Sequence, residues 1–498
     1  MQIENQLKQR TFTGVLWSIS DQIASQAIQF IVQIILTRIL LPEYFGLIGM
    51  ILVFILICNV IVDSGFSQAL IREQNVSQED YSTVFWFSLI MSLFLYVILF
   101  ILTPIISQFF NEPQLVLILR IFSLGLIINS LSIIQRTILT KKLDFGTQTK
   151  INIIAVVLSG TVAIIFALRG FGVWSLVVKT LLLQFFQLVL LWFINDWRPR
   201  LVFKYESFKR LFGFGSKLML SGLISIIYSN IYNVIIGKLY SVSRLGYYTN
   251  AVILSEVASL SITTALQRVT YPVLSSFQDE KERLKYGFKK IIRITAFINF
   301  PLMVGLASVA EPLINFLFGE KWEPMITYFQ LLCIAGMFYP LHAVDLNILQ
   351  VKGKSNLFLG LSIGRKLTLT VLIIGAVWLN TGIIGLITVA VVQAHIEFII
   401  ISFYGGREIS YTVIEHIKDI CVFYIISLFM GVIVYFVGIF IPLNNLITIL
   451  LQIIVGVVVY IGICRLLKIH ELFFISRLLC PIIKSFLTKG KEKLRDES

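Results

Sequence analysis

The sequence has few charged residues for its length. Of its 498 residues, 14% are charged and 57% are hydrophobic, whereas a soluble domain carries about 25% charged residues. A soluble domain needs a polar surface around its core, so this composition excludes an ordinary cytosolic enzyme or a secreted globular protein. It predicts a protein that crosses a membrane many times.

Motifs for metal, redox and nucleotide chemistry are also lacking. The five cysteines are scattered without ligand spacing, and we interpret them as small buried hydrophobic residues. There is no G-x-x-x-x-G-K-[ST], H-E-x-x-H, G-x-S-x-G or C-x-x-C. We therefore expect no enzyme activity, no metal and no cofactor. The net charge of +14 is attributed to membrane topology rather than to nucleic-acid binding.

Apolar runs of roughly 20 residues, the length of a membrane-crossing helix, recur along the chain. The runs are continuous rather than alternating, which favours helices over the strands of a barrel. We count fourteen, and uncertain ends leave thirteen as the alternative. The predicted spans are 13–40, 45–70, 83–110, 115–139, 149–169, 173–195, 213–239, 246–271, 291–318, 326–351, 357–379, 383–404, 418–441 and 446–467.

Lysine and arginine divide unevenly between the two sides of these spans. With the N-terminus in the cytoplasm, 30 of the 41 fall in inner segments and 5 in outer loops. This asymmetry is the positive-inside pattern. It predicts cytoplasmic N- and C-termini, and it requires an even number of crossings, which favours fourteen.

Four stretches of the first half recur in the same order about 200 residues later. The stretch 35–50 resembles 235–250, which aligns Gly46 with Gly246. The other pairs are 103–114 with 311–324, 135–145 with 346–356, and 169–174 with 380–386. Because each repeat holds six spans, both repeats enter the membrane from the same side. Transporters with such parallel repeats bind substrate between the two bundles.

The predicted fold is therefore an all-α polytopic membrane protein of two six-helix bundles followed by two extra helices. The predicted domains are an N-terminal bundle (1–195), a cytoplasmic linker (196–212), a C-terminal bundle (213–404), two further helices (405–467) and a basic cytoplasmic tail (468–498).

Polar side chains are concentrated on one face of the first span. Gln22, Gln26, Gln29 and Gln33 fall, with two serines, within an arc of about 100°. We interpret this face as the wall of a water-filled cavity, and hydrogen bonding between helices is the alternative. The seventh span, at the matching place in the second repeat, carries a similar polar set that includes Asn233.

Charged side chains at membrane depth usually face a cavity or a partner, because lipid does not solvate them. Lys179, Arg365 and Lys366 are the deepest basic residues. Arg365 and Lys366 are adjacent, so we expect at least one of them to face inward and bind an anionic group, for which the planar fork of arginine is well suited.

Coupling to protons requires a carboxylate or histidine that titrates during the transport cycle. The acidic and histidine candidates are Asp63, Glu256, His342, Asp345, His395 and Glu397. The alternative for each is a structural role, as one partner of a buried ion pair or as a carboxylate near a helix end.

Several stretches resemble a known family over nearly the whole chain. They are SGFSQALI (64–71), LGYYTNAVILSEVASLSITTALQRVTYPVLSSFQ (245–278), LFGEKWEPM (317–325) and LNILQVKGKSN (346–356). The chain resembles the polysaccharide-export branch of the multidrug/oligosaccharidyl-lipid/polysaccharide exporter superfamily, the Wzx-like and TuaB-like flippases. This branch has no invariant charged motif that aligns with Lys179, Arg365 or Lys366, so those assignments depend on membrane depth alone.

The resemblance implies twelve core helices around a central cavity, with two extra helices. It also implies that the protein moves a polyprenyl-diphosphate-linked oligosaccharide across the cytoplasmic membrane for O-antigen, capsule, exopolysaccharide or teichuronic acid synthesis. The implied partners are that glycan, membrane lipids and, as a candidate, a polysaccharide polymerase. Two alternatives remain: a cation-coupled multidrug exporter of the same superfamily, and a membrane enzyme, against which the short outer loops argue.

Overall fold

The computed structural model describes residues 25–441, 444–474 and 476–477, and within these ranges the chain forms helices and turns without a strand. Gln22, Cys480 and most of the predicted tail lie outside the described residues. The helices are α1 (Ser25–Ile39), α2 (Pro42–Asp63), α3 (Phe66–Arg72), α4 (Gln78–Phe110), α5 (Leu115–Phe122), α6 (Leu124–Lys141), α7 (Phe145–Leu168), α8 (Val173–Ile194), α9 (Tyr205–Ser229), α10 (Ile231–Leu239), α11 (Val242–Ser275), α12 (Lys281–Ser308), α13 (Ala310–Leu317), α14 (Met325–Gly336), α15 (Tyr339–Val351), α16 (Ser355–Trp378), α17 (Gly382–Glu408), α18 (Val413–Phe440) and α19 (Asn445–Leu466).

Twelve helical segments in the described ranges are long and apolar enough to cross a membrane. Three of them join consecutive helices: α2 with α3, α5 with α6, and α14 with α15. The chain is therefore a multi-pass membrane protein of the all-α class, as predicted. The predicted total of fourteen also counts α1, which is described only from Ser25, and α11. That total and the orientation of the termini stay predictions.

Polar side chains fix where several helices begin. At the start of α4, the Oγ of Ser77 accepts a hydrogen bond from the backbone N–H of Asp80, and the Asp80 carboxylate accepts one from the N–H of Ser77. Thr412 and Glu415 form the same capping box at α18. Both boxes precede long apolar runs, so the boundary between polar and apolar sequence also sets the ends of these helices.

The break between α2 and α3 is a close crossing of two backbones. Ser64 and Gly65 have positive φ angles of 47° and 70°. A Cβ atom on Gly65 would lie 2.4 Å from the carbonyl oxygen of Gly215 in α9, and one on Gly215 would lie 2.4 Å from that of Ser64. Glycine at both positions allows this approach, which interrupts the helix directly after Asp63.

The chain divides into two compact units, Met1–Thr249 and Asn250–Ser498. In the first, α7 packs on α8 and α6 packs on α4 and α8, with Leu139, Ile151 and Leu191 in a buried core. In the second, α12 packs against α18, and α17 packs against α14, α15 and α16. The predicted domain boundaries follow the internal repeat rather than packing, and they stay a prediction.

The polar stretch after α8, predicted as a cytoplasmic linker, is bound to α4 within the first unit. The indole N–H of Trp86 donates to the carbonyl of Arg200 over 2.7 Å. The buried carboxylate of Asp80 accepts from Arg210 over 2.7 Å. Residues 205–212 of the predicted linker already belong to α9. The stretch therefore serves as an anchor for the start of α9.

Candidate functional site

In the first unit, Lys179 and Gln33 lie together. Lys179 projects from α8 and donates from Nζ to the Oε1 of Gln33 in α1, over 3.2 Å. Both side chains are half-buried. An ammonium group and an amide from two helices thus form one polar patch at membrane depth.

Asp63 lines a polar cavity of 240 Å³ in the same unit, together with Ser67, Asn129, Arg136 and Thr137. Asp63 accepts a hydrogen bond from the Oγ of Ser67, and Thr137 donates to the same hydroxyl over 3.3 Å. The cavity therefore contains a carboxylate and a guanidinium among hydroxyl and amide groups.

In the second unit, Arg365 of α16 forms an ion pair with Glu397 of α17. The distance from Arg365 Nη2 to Glu397 Oε2 is 2.8 Å, and the side chains are 32% and 11% exposed. The Nε of Arg365 is buried and has no hydrogen-bond partner among the described residues. The guanidinium is thus held in place while part of its donor capacity remains unused.

His342 and Gln393 complete this cluster. Gln393 donates from its Nε2 to Glu397 over 2.7 Å and to the carbonyl of Arg365 over 3.1 Å. His342 lies with its Nδ1 3.5 Å from Glu397, and its Nε2 is 3.1 Å from the carbonyl of Ala394. Helices α15, α16 and α17 therefore bring two predicted site residues, Arg365 and His342, onto one carboxylate.

Asp345 lies one turn after His342 on α15 but belongs to a separate contact. Its Oδ2 accepts a hydrogen bond from the Oγ of Ser402 in α17 over 3.1 Å. Its Oδ1 lies 3.9 Å from Nδ1 of His416 in α18. Asp345 and His416 are each 1% exposed.

The other predicted site residues are spread over the two units. Gln26, Gln29 and Glu256 are exposed, and Asn233 and Lys366 are half-buried. Asn233 donates from its Nδ2 to the Oδ1 of Asn230 over 3.4 Å, near the break between α9 and α10. No contact among the described residues tests whether these side chains bind substrate, and their roles stay predictions.

A basic pocket of 720 Å³ lies at the start of α12, where Lys289, Lys290, Arg293 and Arg477 line it. Arg293 is bound by Glu471, with Nη2 3.1 Å from Oε2. Burial alone would raise the pKa of Glu471, but the hydrogen bonds from Arg293 outweigh burial and hold the pKa below its usual value. The pocket keeps a positive surplus on the side predicted to be cytoplasmic.

An apolar groove of 660 Å³ extends along α12, α18 and α19 in the second unit. Pro301, Met430, Val434 and Val457 contribute to its lining. Gln452, one of its few polar side chains, donates from Nε2 to the carbonyl of Val434 over 2.9 Å. The groove therefore offers a nearly continuous hydrocarbon surface.

Sequence reasoning missed part of these clusters. Glu397 was among the candidate carboxylates, but Gln393 was not identified, although the two are four residues apart and so share one helix face. His416 and Asp419 carried no such signal, because their partners come from α12 and α15, far away in sequence.

Solved structures with the same fold include two transporters. The lipid II flippase MurJ in an inward closed conformation matches with a TM-score of 0.72 and 16% identity, over 94% of this chain and 100% of that one. An inward-facing multidrug resistance MATE family transporter of the MOP superfamily matches with a TM-score of 0.59 and 20% identity, over 79% and 98% of the two chains. At these identities the similarity establishes the fold.

Curated relatives point to polysaccharide biosynthesis. The teichuronic acid biosynthesis protein TuaB of Bacillus subtilis is 28% identical over 76% of this chain and 78% of its own length. The lipopolysaccharide biosynthesis protein WzxC of Escherichia coli is 26% identical over 66% and 68%. The succinoglycan biosynthesis transport protein ExoT of Rhizobium meliloti is 26% identical over 62% and 63%. Because residues 35–327, more than half of the chain, match the family described as polysaccharide biosynthesis protein, the chain belongs to that family.

Proposed function

We propose that this protein is a flippase that moves a polyprenyl-diphosphate-linked oligosaccharide from the inner to the outer leaflet of the cytoplasmic membrane, for synthesis of a surface polysaccharide. The observation that carries the proposal is the membership of a polysaccharide biosynthesis family in a chain with the fold of a lipid II flippase. The names of the relatives TuaB, WzxC and ExoT support the same assignment.

We assign the diphosphate of the substrate to Arg365. A diphosphate needs charge-assisted hydrogen bonds, and arginine presents several donors in one plane. Glu397 occupies Nη2 of Arg365 over 2.8 Å, and the partnerless Nε gives this side chain unused donor capacity. Lys366, the next residue of α16, supplies a second cation on the adjacent part of the helix surface.

The sugar units need hydrogen-bonding groups and water rather than lipid. In the first unit, Gln26, Gln29 and Gln33 share one face of α1, and Gln33 contacts Lys179. We assign sugar binding to this face, to Gln22, which is four residues earlier in the sequence, and to Asn233. Transport then requires that these polar residues are exposed to one side of the membrane at a time. At no point in the cycle is there an open path for ions from one side to the other.

Moving the isoprenoid tail out of a hydrocarbon environment would cost free energy, because its apolar surface would be exposed to water. The groove along α12, α18 and α19 offers apolar side chains such as Pro301, Met430 and Val457 over 660 Å³. We assign the tail to this groove. In this arrangement, the headgroup crosses the membrane while the tail stays in a lipid-like environment. The free-energy barrier to translocation then comes from the headgroup alone.

A cation-coupled multidrug exporter is the second candidate, because a MATE transporter shares the fold with a TM-score of 0.59. Such a protein needs carboxylates for its ions, and Asp63, Glu256 and Asp345 are the available ones. Neutralising these three carboxylates separates the two functions. Loss of organic-cation export with an unchanged surface polysaccharide supports the drug exporter.

Deletion of the gene tests the flippase directly. We expect the deletion strain to lose its surface glycan and to accumulate lipid-linked repeat units on the cytoplasmic side, and we expect the intact gene to restore both. A strain that displays its glycan normally without such accumulation contradicts the proposal. A polysaccharide polymerase is the candidate partner that takes over the product, and co-purification from membranes checks for it.

A further inference from the structure

The second unit contains a buried carboxylate and a buried imidazole that face each other. Asp345 on α15 and His416 on α18 are each 1% exposed, and Asp345 Oδ1 lies 3.9 Å from His416 Nδ1. Ser402 donates to the other carboxylate oxygen over 3.1 Å. In the described ranges, His416 is the one basic side chain within 4 Å of this carboxylate.

Among the described residues, Asp345 is the one carboxylate within 4 Å of the His416 imidazole, and Asp419, one turn later on α18, also acts on it electrostatically. Neither ring nitrogen forms a hydrogen bond in the part of the chain that the structure describes. The ring lies among the aromatic rings of Phe288, Phe398 and Tyr411, at centroid distances of 6.0, 4.9 and 5.2 Å. Buried ring nitrogens are normally hydrogen-bonded, so an unpaired imidazole directed at a carboxylate needs an explanation.

The other charged groups near the pair are already balanced. Asp419, one turn after His416 on α18, accepts from Lys289 and Arg293 of α12, each over 3.0 Å, and from the hydroxyl of Tyr411 over 2.6 Å. Glu415 on α18 lies 3.6 Å from Lys285 of α12. Asp419 and Glu415 thus have cationic partners on α12, whereas the basic group that lies within 4 Å of Asp345 is His416.

We propose that Asp345 and His416 together bind the proton that couples headgroup movement to the proton gradient. With one proton on either partner the pair is neutral overall, either as carboxylic acid with imidazole or as carboxylate with imidazolium. Without that proton, the carboxylate is buried with no compensating charge, which a low-dielectric interior disfavours strongly. The buried state of the pair therefore retains the proton, and a conformation that admits water to the pair releases it.

A polar network adjoins the pair and reaches the basic pocket, on the side predicted to be cytoplasmic. Tyr411 contacts the imidazole with its ring and binds Asp419 with its hydroxyl. Asp419 in turn binds Lys289 and Arg293, which line the basic pocket. In each cycle a hydronium ion outside gives its proton to the pair, and a water molecule on the cytoplasmic side takes it, so an O–H or N–H bond forms and then breaks.

This inference rests on the proposed flippase function. It specifies that the glycan and the proton cross the membrane in opposite directions. The glycan moves outward, so an inward proton gradient can drive it only if protons move the opposite way. One proton exchanged per glycan changes the equilibrium ratio of glycan between the leaflets by about tenfold for each pH unit of gradient.

The test uses the full-length protein in proteoliposomes that contain the lipid-linked glycan extracted from the deletion strain. A gradient of about one pH unit is imposed, and an added glycosidase reports the share of glycan in the outer leaflet. We expect wild-type protein to enrich glycan about tenfold on the acidic side. Protein orientation does not matter, because the equilibrium ratio depends on the gradient alone.

His416→Gln and Asp345→Asn each remove one member of the pair. We expect both variants to equalise the glycan between leaflets without responding to the gradient. His470→Gln, which changes an exposed histidine, is the matched control and should respond like wild type. Should either variant fail to accumulate in membranes, Ser402→Ala takes its place, because it removes only the hydroxyl that donates to Asp345, and its response to the gradient must fall.

The outcomes separate the two proposals. Wild-type protein that equalises the glycan but ignores the gradient overturns proton coupling and leaves the flippase function intact. A His416→Gln variant that still enriches glycan on the acidic side overturns the assignment to this pair. Wild-type protein that moves no glycan under any gradient overturns the flippase function, and this inference with it.

Discussion

Gly46 of α2 and Gly246 of α11 form a reciprocal close contact in the first unit. A Cβ atom on Gly46 would lie 2.0 Å from the carbonyl oxygen of Val242, and one on Gly246 would lie 1.9 Å from that of Pro42. Gly46 and Gly246 are 200 residues apart, and so are Pro42 and Val242. The alignment of the internal repeat therefore coincides with a symmetric helix crossing, at which each helix start packs against its counterpart.

We expect Gly46→Ala and Gly246→Ala to destabilise the protein, each by about 1–3 kcal/mol, because the new methyl group collides with backbone and forces the helix starts apart. Thermal unfolding of the detergent-solubilised protein, followed by intrinsic fluorescence, measures the loss. Gly213→Ala in α9 is the control, since nothing lies within 4 Å of its Cβ position. Equal melting temperatures for all three variants would show that the starts of α2 and α11 can move apart without loss of stability.

The sequence predicted the helical fold well, because apolar runs and their ends depend on local composition. The predicted span 115–139 corresponds to the segment Leu115–Lys141, and 326–351 to Met325–Val351. Breaks inside spans were not predicted. The break at Ser64 and Gly65 depends on the approach of α9, which is encoded at Gly215, far along the chain.

The site was predicted less completely, because ion pairs between helices depend on packing register. Arg365 was identified from its membrane depth, but its partner Glu397 lies on another helix, and no local pattern gives the rotation of α16 against α17. His416 was not considered, because the predicted span 418–441 begins after it, and its neighbour Asp345 is on α15. Residue depth can be derived from sequence, whereas pairing between helices needs the fold.

Arg365→Gln should weaken transport of the lipid-linked glycan roughly ten- to hundredfold, the range that corresponds to one or two charge-assisted hydrogen bonds. Initial rates of glycan transfer in proteoliposomes measure it. Arg365→Lys keeps the charge but loses the planar fork, so we expect an intermediate rate. Arg407→Gln, an exposed arginine in the last turn of α17, should leave transport unchanged.

The double variant Arg365→Gln with Glu397→Gln separates substrate binding from a structural role. Removing one partner of a buried pair leaves the other charge uncompensated, so each single variant should lower the melting temperature and the double variant should recover part of it. Transport should not recover, because the phosphate ligand is still missing. If transport rises together with the melting temperature, the pair has a structural role only.

Asp80→Asn should lower stability by about 1–3 kcal/mol, since this buried carboxylate caps α4 and binds Arg210. Its neighbour Glu79 offers a matched comparison. Glu79 binds Lys204 with both side chains about half exposed, and this hydrogen bond raises the pKa of Lys204. Because exposed ion pairs contribute little to stability, Glu79→Gln should change the melting temperature little. The reverse order of the two variants would contradict the anchoring role of Asp80.

The helical residues 470–474 should detach from α12 at acid pH. Arg293 holds the pKa of Glu471 below its usual value despite burial, so the contact is complete above about pH 4.3, the ordinary pKa of glutamate, and is lost as the pH falls further. A Phe473→Trp reporter measures this, because its fluorescence should shift to longer wavelength in acid as the indole becomes more exposed to water. Glu471→Gln in the same background removes the charge that Arg293 binds, so the shifted spectrum should already be present at neutral pH. A spectrum that stays constant in both proteins contradicts this docking contact, because the reporter would then be held in place without the Glu471 carboxylate.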